Sequence, residues 1–146
     1  MVDRQSIIER AINVENIVCC LITRHFFRQR EGINFNFMHT VLYDPLATSG
    51  FKVSVFHKCY PHLAKKEIEL LRRIFNIRNL FAHAGLYVTK IADPDAAGYV
   101  DPKNRDDLLD FETLAIEFNE KASAAETLLA QLLEENGVKL LSEPPS

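Results

Sequence analysis

Apolar residues recur at the three-to-four-residue spacing of an α-helix along three long stretches of this chain, and this spacing decides what it can fold into. In the first stretch, Ser6-Ile-Ile-Glu9 is a capping-box pattern with Ser6 as the predicted N-cap. The apolar residues of this stretch fall on one arc: Ile7, Ile8, Ala11, Ile12, Val14, Val18, Cys19, Leu21 and Ile22. The pattern predicts a helix that continues to about Gln29.

Three more helices are predicted after a loop over residues 31–49 that contains a short helical turn. The second helix spans Phe51 to Tyr60 and stops at Pro61, because proline cannot continue a helix. The third runs from about residue 63 or 64 to residue 84, with Gly85 as its C-cap. The last begins near Asp106 and runs to about residue 136 or 137, with one apolar stripe: Leu108, Phe111, Leu114, Phe118, Ala122, Ala125, Leu129, Leu132 and Leu133.

The fold class follows from the number and length of these helices. Three long amphipathic helices and one shorter helix predict an all-α antiparallel bundle of about four helices. The segment near 86–101 differs in texture, since apolar residues flank a turn-rich stretch, and it is compatible with a small β-hairpin. No linker divides the chain, so the sequence predicts one domain over 1–141 and a frayed tail over 142–146.

Length and apolar content indicate a cytoplasmic protein. The 146 residues are enough to bury a core without a metal or disulfides. The longest apolar run, Ile17 to Ile22, is far short of the roughly 20 residues that span a bilayer, so no membrane segment is predicted. Charged residues near the start, among them Asp3 and Arg4, interrupt the apolar core that a secretory signal needs.

The cysteines and histidines do not predict a metal centre. Cys19 and Cys20 are adjacent on an apolar segment, and the odd total of three cysteines is typical of reduced thiols. Cys59 lies between His57 and His62, but three ligands are one fewer than a structural zinc site needs. Neither a metal nor another cofactor is predicted.

The net charge of −3 conceals an uneven distribution. Residues 1–51 are neutral overall. Residues 52–90 carry eight Lys and Arg against two Glu, a net charge of +6, whereas residues 91–146 have a net charge of −9. The third helix is therefore a basic element within an acidic protein, and any contact with a nucleic acid is expected there.

The third helix has one polar stripe and one misplaced arginine. The stripe consists of Lys65, Glu69, Arg72, Asn76, Asn79 and His83. Arg78 falls instead within the apolar arc that contains Ile74, Ile77 and Phe81. One interpretation is a structural ion pair with Glu15, which lies in the apolar arc of the first helix. The other is a recessed functional site.

The segment Ile77-Arg78-Asn79-Leu80-Phe81-Ala82-His83 resembles the signature of HEPN-superfamily domains, an Arg and a polar residue followed by a His. The stretch from about Phe51 through His83 also resembles the mannitol operon repressor family. Together these resemblances cover about 35 residues in the middle of the chain.

The HEPN resemblance implies a helical homodimer in which the Arg and His of both protomers face a shared cleft. It further implies a metal-independent endoribonuclease, toxin-like or RNA-processing, in which a ribose 2′-OH attacks the adjacent phosphorus. His83 would then transfer protons, Arg78 would stabilise phosphate charge, and Asn79 would orient His83 or bind the phosphate. The basic residues of the same helix are candidates for contacts with flanking phosphates: Lys65, Lys66, Arg72 and Arg73.

A second hypothesis is a non-catalytic dimeric module for regulation or interaction, as the mannitol operon repressor resemblance implies. In that case Arg78 and His83 stabilise a dimer through buried polar contacts. An antitoxin, which the toxin-like interpretation favours, and a regulatory protein are the candidate protein partners. The catalytic hypothesis predicts that Arg78 and His83 open onto a common cleft. An Arg78 sealed against Glu15, with His83 directed elsewhere, favours the structural alternative.

Overall fold

A computed structural model describes residues 3–27, 36–87, 98–101 and 104–138 and places the side chains of 3–27, 36–83 and 111–138. Its α-helices are α1 (Arg4–Phe26), α2 (Ser49–Cys59), α3 (Lys65–Tyr87) and α4 (Phe111–Glu135). A short π-helix (Met38–Leu42) precedes α2, and two strands, β1 (Gly98–Asp101) and β2 (Asn104–Asp110), lie between α3 and α4. The predicted all-α helical bundle is confirmed.

One hydrophobic core joins the helices, and the predicted apolar arcs supply most of it. The largest fully buried side chains come from all four helices and the π-helix: Phe56, Phe81, Phe118, Leu21, Ile22, Leu42, Leu71, Ile74, Ile77, Leu129 and Val14. Each such side chain contributes roughly 1.5–3 kcal/mol relative to an exposed position. Ile12, predicted within the arc of α1, is exposed because it lies at the edge of that arc.

The relative directions of the helices follow from contacts near their ends. The guanidinium of Arg4, at the start of α1, donates to the carbonyl of Ala82 near the end of α3 at 2.9 Å. Arg24, near the end of α1, donates from Nε to the carbonyl of Asn136 just after α4 at 3.1 Å. The antiparallel arrangement therefore holds for α1 and α3, whereas α1 and α4 run in the same direction.

The predicted cap of α1 is wrong by one turn. The helix begins at Arg4, and Asp3 is the N-cap: its carboxylate accepts a hydrogen bond from the backbone N–H of Ser6 at 3.2 Å. Aspartate is as good an N-cap as serine, and the upstream cap adds helical hydrogen bonds. The same helix ends at Phe26, before the predicted limit at Gln29.

The hairpin is displaced relative to the prediction near 86–101. Helix α3 continues through Gly85 to Tyr87, because an interior glycine costs only about 1 kcal/mol relative to alanine. The two strands pair antiparallel with Gly98 opposite Asp110, so β2 takes the residues predicted to open the last helix. Helix α4 then ends as predicted, with Gly137 at a φ of 64° in the left-handed conformation that glycine adopts readily.

The sequence also predicted no membrane segment and a frayed tail. Among the described residues, no helix combines the length and the apolar content that crossing a membrane requires. The predicted tail over 142–146 lies outside the described residues. What positions the site is the packing of α3 against α1, α2 and α4.

Candidate functional site

A cleft of about 500 Å³ opens between the start of α2 and the middle of α3, with α1 behind it. We call it the α2–α3 cleft. It is lined by Glu15, Ala47, Thr48, Ser49, Gly50, Val53, Arg72, Phe75, Asn76, Arg78 and Asn79. Its lining therefore includes the predicted ion pair, the Asn of the Arg-Asn-x-x-x-His motif and one of the candidate phosphate contacts.

The ion pair expected between Arg78 and Glu15 is present in the structure. Arg78 donates from Nη1 to Glu15 Oε2 at 3.3 Å and from Nη2 to Ser49 Oγ at 2.6 Å. The Ser49 hydroxyl in turn donates to Glu15 Oε1 at 2.7 Å. The guanidinium also lies over the ring of Phe75, 5.3 Å from its centroid. One carboxylate and one hydroxyl thus fix Arg78 on the cleft wall while joining α1, α2 and α3.

Lys52 is a third charged member of this network that sequence reasoning missed. Its Nζ lies 3.5 Å from Glu15 Oε1, and its side chain is only 7% exposed. The ammonium also lies 5.7 Å from the ring centroid of Tyr43. A signal was available, since Lys52 falls on the same helical face as the buried Phe56 and Cys59. Ser49 gave no comparable signal, because a serine at a helix start is ordinary.

The charges of the network do not balance. Among the described residues that line the cleft, Glu15 carries the one carboxylate, whereas Arg72 and Arg78 carry positive charges. The buried Lys52 contacts Glu15 without lining the cleft. The local net charge is therefore positive, although the whole chain is acidic. Backbone N–H groups from the first turn of α2 add partial positive charge near Arg78 and Ser49. The α2–α3 cleft is suited to an anionic ligand.

Asn79 and His83 lie at different distances from the cleft. The amide oxygen of Asn79 accepts hydrogen bonds from Arg78 Nε at 3.4 Å and Nη2 at 3.3 Å. His83 is exposed and lies outside the residues that line the cleft. Helical geometry places it one turn, about 6 Å, beyond Asn79 along the same polar stripe. The structure brings Arg78 and Asn79 together on the cleft wall, but it does not place His83 among the residues that line the same cleft.

The four basic residues predicted to contact phosphate have different environments. Arg72 lines the cleft and donates to Ser54 Oγ at 3.1 Å. Lys65 is 90% exposed and makes a long contact of 3.8 Å with Glu69, and Lys66 is also exposed. Arg73 is turned towards α4. Only Arg72 of the four lines the cleft.

Arg73 forms a two-point ion pair with α4 and does not line the cleft. Its Nε and Nη2 donate to the two carboxylate oxygens of Glu117 at 2.6 and 2.8 Å. These hydrogen bonds lower the pKa of Glu117 and raise that of Arg73. Both side chains are partly exposed, so solvent weakens the pair.

We expect Glu117→Gln to lower the free energy of unfolding by at most about 1 kcal/mol at pH 7. A carboxyl group whose pKa is lowered by folding stabilises the native state above its ordinary pKa, and this contribution is lost as the pH falls through the folded-state value. The difference in the free energy of unfolding between wild type and Glu117→Gln should therefore become smaller as the pH is lowered. Urea unfolding at pH 7 and at acidic pH measures this difference, with Glu120→Gln, a change at an exposed residue, as the control. A difference that does not depend on pH would contradict a Glu117 pKa lowered by Arg73.

The cysteines and histidines form no metal cluster in the part of the chain that the structure describes. Burial raises the pKa of the Cys19 thiol to about 12, and it also raises the pKa values of Cys20 and Cys59. A raised pKa disfavours the thiolate, which is the nucleophilic form of a cysteine. Cys19 and Cys59 pack within the hydrophobic core.

Known proteins provide no match from which a function is transferable. No protein-family model matches the chain, and no curated protein and no solved structure matches it either.

Proposed function

We propose that this protein is an RNA-directed, HEPN-type endoribonuclease that acts without a metal and uses Arg78, Asn79 and His83. The observation that carries the proposal is the position of Arg78 and Asn79 on the wall of an open cleft whose local charge is positive. A nucleic-acid backbone needs such a local positive site, because the chain as a whole would repel it. His83 continues the same polar stripe one turn beyond Asn79, outside the lining of the cleft.

The residue types suit transesterification of RNA. The ribose 2′-oxygen attacks phosphorus, the bond from phosphorus to the 5′-oxygen breaks, and the products are a cyclic phosphate and a free 5′-OH. Because imidazole exchanges protons near neutral pH, His83 would move a proton between these oxygens. Arg78 would stabilise the charge on the phosphate oxygens from its fixed position. The need for a 2′-OH would confine cleavage to RNA.

The homodimer belongs to the same proposal. In a two-fold dimer, the two copies of His83 would lie near one RNA strand and share the roles of acid and base. RNA in the cytoplasm, and an antitoxin or another regulatory protein, are the partners that this proposal favours.

One observation favours the second candidate, a non-catalytic regulatory or interaction module. Arg78 donates to Glu15, Ser49 and Asn79 and is only 16% exposed, so most of its donors already have partners within the protein. An arginine in this situation holds helices together. Under this candidate the cleft binds a partner, and no bond in RNA is broken.

Incubation of the purified protein with single-stranded and structured RNA in EDTA tests the proposal. We expect wild type to cleave RNA and His83→Ala to be slower by at least about 100-fold, because the proton-transfer group is absent. His62→Ala, another exposed histidine, is the matched control and should cleave at the wild-type rate.

Arg78→Ala separates the two candidates. Under the nuclease proposal, its cleavage is lost in preparations that circular dichroism shows to be folded. Intact RNA with wild-type protein, together with a lowered melting temperature for Arg78→Ala, rejects the nuclease and supports the regulatory module.

A further inference from the structure

Among the three arginines of α3, Arg72 differs in having no carboxylate partner within the part of the chain whose side chains the structure places. Arg73 is held by Glu117 and Arg78 by Glu15, whereas the contact recorded for Arg72 is one hydrogen bond to the Ser54 hydroxyl. No ion pair to Arg72 occurs among the residues whose side chains the structure places. An arginine has five N–H donors, so Arg72 has donors left for a ligand.

Arg72 is also part of the cleft rather than a solvated charge elsewhere. It lies on the cleft wall with Asn76 and Arg78, and Phe75 lies between the two arginines in sequence. Arg78 lies six positions after Arg72, which corresponds to about 9 Å along the helix axis. The cleft thus presents two guanidinium groups at separate points along α3.

The order of the side chains along α3 gives the two points different roles. His83 lies beyond Arg78 and Asn79, on the side away from Arg72. The distance from Arg72 to His83 along the axis is about 16 Å, which is too far for both to act on one phosphate. A phosphate at Arg72 is therefore not the one that His83 would help to cleave.

We propose that Arg72 binds a flanking phosphate of the RNA strand, at a subsite separate from the phosphate cleaved beside Arg78, Asn79 and His83. This inference rests on the proposed RNA-directed function but not on cleavage. The strand would lie along the polar stripe of α3, with one phosphate at each end of the cleft and the amide of Asn76 between them. Phosphate contacts fix the register of a strand without reading its sequence.

The subsite predicts how affinity depends on salt. Each phosphate neutralised on a single strand contributes about 0.7 to the slope of log affinity against log salt concentration. Arg72→Gln should therefore lower that slope by about 0.7 and weaken binding of a ten-nucleotide RNA about tenfold. Arg72→Lys should keep most of the slope, because the charge is retained.

Fluorescence anisotropy with labelled RNA, over a range of salt concentrations, measures this in a His83→Ala background, where no cleavage interferes. Two controls are matched to Arg72→Gln. Ser54→Ala removes the hydroxyl partner of Arg72, and Lys58→Gln removes an exposed charge from the far end of α2; both should bind as the background protein does. A DNA strand of the same length should show the same loss with Arg72→Gln, because the contact is to phosphate.

The outcomes separate this inference from the proposed catalysis. Reduced slope and affinity for Arg72→Gln in a protein that never cleaves RNA support the subsite and reject the nuclease. Unchanged slope and affinity overturn the subsite, even where wild type cleaves RNA. Absence of any RNA binding overturns both.

Discussion

Replacing Glu15 by glutamine is expected to lower the free energy of unfolding by about 3 kcal/mol at pH 7. The substitution keeps the shape of the side chain and removes its charge. Lys52 and Arg78, whose side chains are 7% and 16% exposed, would then be cations without a carboxylate partner. Removal of one member of a buried ion pair is strongly destabilising, because the other charge stays out of water. Urea denaturation gives the value.

Two further variants show whether the buried charges cause this loss. Glu9→Gln changes an exposed carboxylate on the same helix and should alter stability by less than about 0.5 kcal/mol. Adding Lys52→Met to Glu15→Gln removes one unpaired cation and should restore part of the stability. A Glu15→Gln protein as stable as wild type would show that solvent reaches these charges freely.

Phe118→Ala is expected to lower the free energy of unfolding by about 4 kcal/mol, more than any other substitution proposed for this protein. The ring is completely buried on α4, within the core that all four helices share. Truncation removes its apolar area and leaves a cavity, because the surrounding helices relax only in part. Since small domains are stable by about 5–15 kcal/mol, the variant should unfold at much lower urea concentration.

Ile116→Ala is the matched control for Phe118→Ala. Ile116 lies two residues away on the same helix and is 63% exposed, so its truncation should change stability by less than about 0.5 kcal/mol. Similar losses of stability for the two variants would mean that α4 does not pack through the face that carries Phe118.

The helices and most of the core were predictable from the sequence, because burial follows the face of a helix and periodicity reveals that face. Helical periodicity also placed Arg78 and Glu15 within apolar arcs, which predicted an ion pair between them, and the structure contains that pair. The sequence prediction was wrong at two helix ends: Asp3, not Ser6, is the N-cap of α1, and α3 does not end at Gly85. At such positions two local signals of similar strength compete, and tertiary packing decides between them.

The site itself was less predictable than the fold. Arg72 and Arg73 are adjacent basic residues in the sequence, yet one lines a cleft and the other is paired with Glu117. Composition cannot separate them, since the difference depends on which neighbouring helix lies opposite each residue. The sequence places the charged Lys52 on a buried helical face, but it does not indicate the partner. That partner is Glu15, which lies 37 positions away in the sequence and on another helix.

The hydrogen bonds of Arg78 tie the cleft to the packing of the bundle. The guanidinium that faces the cleft also joins α1 to α2 through Glu15 and Ser49. Position 78 is therefore pleiotropic: any substitution that alters how the cleft treats an anion also alters how three helices are held together. Changes in ligand preference would therefore have to arise mainly at cleft residues outside the Glu15–Arg78 ion pair, such as Asn76 and Arg72.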